Sequence, residues 1–374
     1  MDGQTGGLGA EQRRRAQVLE LVVDGRLRIG QAAEVLGLSA RQVKRLKAGY
    51  RRAGPAGLVH GNRGRVPWHA RPVEVRARVV ELARGRYAGL NHQHLSELLA
   101  EAEGLLLSRP TVRRFLLEAG LASPRPRRAP QHRRRRERMP REGMLLQADG
   151  SRHRWLGPDR PYLSLIGAID DATGTVPWAR FRQQEDAQGS LLLLREVVRT
   201  KGIPLALYVD RHGIFKQRAR DPRSVEEELA GGRLPTQVGR ALEELAIRPI
   251  YALSPQAKGR LERLWGTLQD RLVAELRLAG AATLDEADGV LRAYLPRFNA
   301  RFAVPLAEPD PAYRRPPEGF DPERVFCCKY ERVVRPDNTV HFAGRQLQLQ
   351  ASPERASWAR ARVEVHERLD GSLA

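Results

Sequence analysis

The sequence predicts a chain of several parts: all-helical units at the N-terminal end, an α/β core on a mixed five-stranded sheet, and a small C-terminal β-barrel. Three observations predict this. At 374 residues the chain is longer than one hydrophobic core usually organises. Apolar residues recur at three- and four-residue steps up to about residue 122, and after a proline- and arginine-rich stretch the pattern changes to alternating runs interleaved with helical ones. Finally, 65 Lys plus Arg against 44 Asp plus Glu give a formal net charge of +21 and a pI near 11.

Such a surface repels itself and attracts polyanions, so nucleic acid is the leading partner class. Most of the cations are arginine, which suits bidentate phosphate and guanine contacts better than lysine, although a GC-rich coding sequence would also enrich it. The only cysteines, Cys327 and Cys328, are adjacent, which excludes a disulfide framework and the paired spacing of a zinc site. No run approaches the ~20 apolar residues of a membrane span, and the N-terminal stretch lacks the apolar core of a signal peptide. No membrane role and a cytoplasmic location are therefore expected.

Residues 11–56 read as a helix-turn-helix. A helix over Arg14 to Val23 is followed by a second, a turn at Gly37 and a third opening at Ala40 behind Ser39, a good N-cap. Val43, Leu46 and Lys47 divide this last helix into a buried and a basic face, with Arg41, Gln42, Lys44 and Arg45 on or beside the surface that would enter a groove. The alternative is an ordinary hairpin of helices with a solvated basic face. The connector "GLVHGNRGRVPWHARP" carries Arg63 and Arg65 and resembles an arm that follows a backbone or minor groove. Residues 70–122 give three more helices, the last starting at Ser108 with Pro110 in its first turn, and read as a second helix-turn-helix-like unit. His92 and His94 have no cysteine pair and are taken as polar residues at a helix start. Residues 123–142 are a basic, proline-rich linker.

The core is expected over residues 143–302: two strands joined at "GPDR", a third in "TVPWARFRQ", a helix closed by Gly202, a fourth strand in "IPLALYVDRHG", a helix, a short fifth strand in "RPIYAL", and a helix capped by Ser254 with Pro255. One more helix opens with a capping box at Thr283 and Glu286. Residues 325–374 suggest the β-barrel. Its closing Asp-Gly turn has only three residues after it, so it is expected to be truncated.

Glu262 is the odd residue of "SPQAKGRLERLWGTLQDRL": a carboxylate set among cations in a basic helix, with Asp270 the one other acid of the stretch. Leu261, Leu264, Trp265, Leu268 and Leu272 form the apolar stripe, while Lys258, Glu262 and Gln269 lie off it. On the first strand, Gln147, Asp149, Ser151, His153 and Trp155 share a face. Asp210 ends the fourth strand. The bland reading of Glu262 is a surface pair with Lys258, worth ~0.3–0.5 kcal/mol. Asp170 and Asp171, in "DDATG", read as a turn; His153 and His212 read as polar strand-end residues before proton shuttles.

The stretches "LLQADGSRHRWL", "YLSLIGAIDDATG", "LYVDRHGIF" and "SPQAKGRLERLWGTLQDRL" resemble the integrase-core DDE transposases of bacterial insertion sequences, a group related to retroviral integrases. The resemblance spans most of the chain, and the P-Q-x-x-G-x-x-E arrangement from Pro255 to Glu262 is its specific part. It implies an RNase H-like core in which Asp149, Asp210 and Glu262 are the catalytic, metal-binding triad, with Mg²⁺ (Mn²⁺ as a substitute) as cofactor. Hard cations of this kind take oxygen ligands, and a pair ~3.5–4 Å apart suits in-line displacement at phosphorus. Double-stranded DNA, as transposon ends and target, is the implied partner, engaged by a homodimer or higher oligomer on the nucleoid, with Lys258 as a further DNA contact. Two departures stand out: "KQRARDPRSVEEELAGGRLPTQ" lengthens the interval between Asp210 and Glu262, and the zinc-binding module that precedes retroviral cores is replaced by helix-turn-helix units. A transposase-derived, non-catalytic regulator is the alternative of a different class; a structure-selective nuclease would not need two N-terminal DNA readers.

Overall fold

The structure, a computed structural model, describes residues 9–59, 71–124, 136–210, 212–217, 234–252, 259–350 and 355–374. Arg63, Arg65, Ser254, Pro255, Lys258 and most of the basic linker lie outside the described residues. By internal contacts the chain divides into two compact units, Met1–Ala77 and Arg78–Ala374.

The first unit holds α1 (Ala10–Val23), α2 (Ile29–Leu36) and α3 (Ala40–Ala53). Gly37 ends α2 in the left-handed region at φ 63°, which glycine adopts without a Cβ penalty. Ser39 then caps α3: its Oγ accepts from the Gln42 N–H at 3.3 Å, and Gln42 Oε1 accepts from the Ser39 N–H at 3.2 Å. Leu19, Val22, Ala32, Val43 and Leu58 form the small core. Leu58 is delivered by a 3-10 turn, Gly54–Leu58, that folds back along α3; a Cβ on Gly57 would lie 2.2 Å from the Gly49 carbonyl oxygen, so only glycine permits this approach.

In the second unit, α4 (Val73–Arg84), which begins just before the division, leads to α5 (His92–Glu103) and α6 (Arg109–Glu118). Asn91 caps α5 by accepting from the Gln93 and His94 N–H groups at 3.0 and 2.9 Å. Strands β1 (Leu146–His153), β2 (Leu163–Asp170), β3 (Trp178–Arg182), β4 (Ala206–Val209) and β5 (Arg248–Tyr251) form one sheet in the order β3-β2-β1-β4-β5. The β1–β2 and β2–β3 pairs are antiparallel, whereas β1–β4 and β4–β5 are parallel. The mixed five-stranded sheet expected from the sequence is therefore present.

Alternation divides the sheet between two cores. Leu146, Ala148, Ile166, Leu207 and Val209 pack with α7 (Ala187–Thr200) and α8 (Gln237–Glu244). Leu163, Leu165, Ala179 and Phe181 pack with α9 (Gly259–Leu278) and α10 (Leu284–Phe302). All five residues of the predicted α9 stripe, Leu261, Leu264, Trp265, Leu268 and Leu272, are buried in this second core. The capping box at Thr283 and Glu286 opens α10 as expected.

A charged seam fastens α5 to the core helices. Arg271 of α9 donates to both Glu97 oxygens, at 2.6 and 3.1 Å, and His94 Nε2 lies 2.9 Å from Glu275. His92 and His94 lie in the first turn of α5, as expected of polar residues at a helix start; both are buried, and His94 belongs to this junction.

Beyond one helical turn at Pro322–Val325, the C-terminal region forms two two-stranded antiparallel sheets, β6 (Cys327–Val333) with β9 (Arg362–Arg368), and β7 (Thr339–Phe342) with β8 (Arg345–Gln348). The small, incomplete β-barrel expected here is seen only as these two small sheets: among the described residues no strand ladder joins them, although Val334, Val340, Phe342 and Val365 share one apolar cluster. The last residues fold back across the Asp370–Gly371 turn, with mutual backbone bonds between His366 and Ala374. Gln237 of α8 meets β6 with both ends of its amide, donating to the Lys329 carbonyl at 2.8 Å and accepting from the Lys329 N–H at 2.9 Å. Cys327 and Cys328 are buried free thiols.

Candidate functional site

Register brings the two aspartates together. β1 and β4 run parallel with Gln147 opposite Tyr208, so two residues further Asp149 stands level with Asp210, which immediately follows β4. Asp149 is paired across the ladder with Gly167, whose missing Cβ would point at Trp265 of α9 at 3.4 Å. Asp149 therefore leaves the sheet on the α9 face. Leu207 and Val209 belong to the opposite core, so alternation sends Asp210 to that same α9 face. Both are half-buried. The Asp210 carboxylate is oriented by its own turn, since Oδ1 accepts from the His212 N–H at 3.0 Å.

Glu262 lies in the first turn of α9 and is exposed. It shares a stripe with Gln269, seven residues on and only ~20° away around the helix. Gln269 Nε2 donates to Ser151 Oγ at 3.1 Å. That contact ties the stripe to the face of β1 that carries Asp149, so Glu262 approaches the same edge from the helix. Among the described residues, however, no three His, Cys, Asp or Glu side chains form a group that could hold a metal ion. The structure thus aligns Asp149 with Asp210 and sets Glu262 on the adjoining helix without closing the three into a cage. The donor chemistry of the set, all carboxylate oxygen, fits a hard divalent cation.

Asp170 accepts from the Ala172 and Thr173 N–H groups at 3.0 and 2.9 Å, as the turn reading expects. Its neighbour does more than turn the chain. Asp171 is fully buried and receives Gln147 Nε2 at 2.6 Å, the Met139 N–H at 2.9 Å, and the guanidinium groups of Arg136 and Arg260. Burial alone would raise its pKa, but the Met139 N–H and Arg260 outweigh that and hold the carboxyl below its usual range. Sequence reading missed this hub because its partners are scattered; an acidic pair with two arginines elsewhere leaves no local signal. His153 is half-buried edge-on to Trp155, with ring centroids 5.4 Å apart, and burial lowers its pKa. His212 is exposed.

On α3, Arg41, Gln42, Lys44 and Arg45 are all exposed, opposite the buried Val43. Lys47 instead turns inward: its Nζ donates to the Val22 carbonyl at 3.0 Å, where a cation suits the C-terminal end of α1. Arg63, Arg65 and Lys258 fall outside the described residues. No helix among the described residues is long and apolar enough to cross a membrane.

A helix-turn-helix domain family matches residues 14–65. The chain is 37% identical over 365 residues to the protein named as transposase y4bF of Sinorhizobium fredii, covering 96% of this chain and 77% of that protein. It is 32% identical over 362 residues to the transposase for insertion sequence IS1202 of Streptococcus pneumoniae, covering 88% and 76%. A chain of a simian T-cell lymphotropic virus intasome, in complex with PP2A regulatory subunit B56 gamma, aligns over 69% of this chain and 83% of its own at 16% identity and a TM-score of 0.34, a distant likeness. With identity to two transposases running through nearly its whole length, this chain belongs to the DDE transposase family of bacterial insertion sequences and carries an N-terminal helix-turn-helix.

Proposed function

We propose that this transposase binds the terminal inverted repeats of its insertion sequence and cuts and joins DNA there, with Asp149, Asp210 and Glu262 as the catalytic and metal-binding residues. The observation that carries this reading is the parallel pairing of β1 with β4, which sets Asp149 level with Asp210 on the face packed by the Glu262 helix. The three side chains supply carboxylate oxygens for Mg²⁺. When bound, a pair of such ions activates an attacking oxygen and stabilises a leaving one at phosphorus. In the first reaction a water oxygen bonds to phosphorus as the P–O3′ bond breaks, leaving a 3′-hydroxyl at the element end; that hydroxyl then displaces a 3′-oxygen in target DNA. No covalent protein intermediate is required, so no Ser, Cys or Tyr nucleophile is assigned.

Arg41, Gln42, Lys44 and Arg45 of α3 read or hold the repeat, Arg63 and Arg65 follow the backbone beside it, and Lys258 contacts phosphate near Glu262. Two ends must be held together, so the acting species is a homodimer or larger assembly on DNA. A second reading, a transposase-derived regulator that binds DNA without cutting it, is favoured by one observation: the three carboxylates do not form a closed ligand group.

The test compares strand cleavage and strand transfer on end-containing DNA with Mg²⁺ for the native chain and for Asp149→Asn, Asp210→Asn and Glu262→Gln. Catalysis by the native chain and its loss in all three variants, with DNA binding retained, supports the enzyme. Binding without cleavage by the native chain supports the regulator.

A further inference from the structure

We propose that Asp171 is a positioning residue that sets Glu262 through Arg260 and couples that setting to the exit of the basic linker. This rests on the reading of Glu262 as a catalytic residue. The observations lie in one buried knot. Arg260, two residues before Glu262 and in the same first turn of α9, pairs with Asp171 through Nη1 and donates from Nη2 to the Arg136 carbonyl at 2.6 Å. Arg136, in the C-terminal part of the linker, also pairs with Asp171. Arg138 donates to the Asp171 carbonyl at 2.8 Å. From the sheet, Gln147 donates to the same Asp171 oxygen at 2.6 Å, and Gln147 is two residues from Asp149 on the same face of β1.

One fully buried carboxylate thus binds three pieces of chain at once: the strand of Asp149, the helix turn of Glu262 and the end of the linker. The chemistry favours a fixed geometry. A guanidinium fork that reaches two acceptors in different segments holds a position and an angle, which a lysine ammonium cannot do. Leu261 packs this first turn into the core but leaves the Glu262 side chain exposed, so Arg260 adds a second, directional hold on the turn that apolar packing does not supply. The free energy of a buried pair here goes into locating a helix end relative to a strand, and the side chain of Arg136, about half exposed at 51%, leaves this knot open to whatever the linker engages.

Hydrogen exchange on the full-length chain, without metal or DNA, tests the geometry directly, and strand cleavage with affinity for end DNA tests its use. Asp171→Asn and Arg260→Gln are expected to speed exchange in the peptide covering 260–265 by at least tenfold, with the peptide covering 284–302 unchanged. Cleavage should fall at least tenfold with DNA affinity within twofold. Arg260→Lys keeps the charge and the fold while losing the fork, and is expected to restore only part of both effects. Unchanged exchange over 260–265 in Arg260→Gln overturns the proposal, as does an Arg260→Lys chain that exchanges faster everywhere, since the pair would then be holding the fold at large. If the native chain does not cleave at all, the catalytic reading fails while the exchange measurement still judges the positioning.

Discussion

Gln269 of α9 donates to Ser151 Oγ of β1 at 3.1 Å, and this one bond joins the helix of the third carboxylate to the strand of the first. It sits two turns along α9 from Glu262, so the helix is attached to the sheet at two levels, here and at Asp171. Replacing Gln269 with Leu should leave DNA binding intact and lower cleavage less than Arg260→Gln does, because the anchor nearer Glu262 remains; parallel rates on one end-containing substrate measure the difference.

Arg271→Ala is expected to destabilise the second unit by about 3–5 kcal/mol, toward the lower figure, because Arg301 and Gln93 still face Glu97. Burial would raise the Glu97 carboxyl, but Arg271 outweighs this and its pKa is lowered. A lowered carboxylate pKa contributes stability that is present above the ordinary value of about 4.3 and is lost as pH falls through the folded-state value. The gap between native and Arg271→Ala in urea unfolding should therefore be full at pH 7 and narrow below pH ~4.

Gly57→Ala should cost about 1–3 kcal/mol of helix-turn-helix stability, since the new methyl would meet the Gly49 carbonyl. Thermal melts of the native and variant chains measure it. End-DNA binding at a temperature below both transitions should be nearly unchanged, because neither glycine lies on the exposed basic face of α3.

Arg41→Ala and Lys44→Ala should each weaken DNA binding and reduce the slope of log affinity against log salt by about 1 if the residue meets a phosphate. Gln42→Ala should differ from both, because Gln42 also completes the cap on Ser39 and its loss lowers the melting temperature as well. Titrations at several salt concentrations, beside a melt, separate the two effects.

Burial pushes both Cys327 and Cys328 thiols up. Ellman's reagent at pH 8 should accordingly find almost no fast-reacting thiol in the native chain and two in denaturant.

The sheet was legible because its strands are two-sided: Leu146 and Ala148 alternate with Gln147 and Asp149, and that period of two survives in the fold. The α9 stripe was legible for the same reason at the helical period. What escaped reading were relationships between distant segments. Asp171 resembles any turn aspartate until Arg136 and Arg260 are brought to it, and His94 resembles a polar helix start until Glu275 closes over it. Lys47 was counted with a basic face, yet its position after α1 gives it a carbonyl to cap. The C-terminal strands were visible individually, but which of them pair is decided by burial of Val334, Val340, Phe342 and Val365, not by any local pattern. Of the candidate site, the alignment of Asp149 with Asp210 follows from strand order, whereas how near Glu262 comes to them depends on side-chain placement that no spacing rule carries.

The amide of Gln237 imitates a neighbouring strand, taking up both main-chain groups of Lys329 on the outer margin of β6. An unsealed margin of this kind is a template on which another polypeptide can add itself by backbone pairing. By occupying both main-chain groups of Lys329, the glutamine closes that position of the margin to a competing strand. Removing it would favour assemblies that form through β6 without any nucleic acid at all.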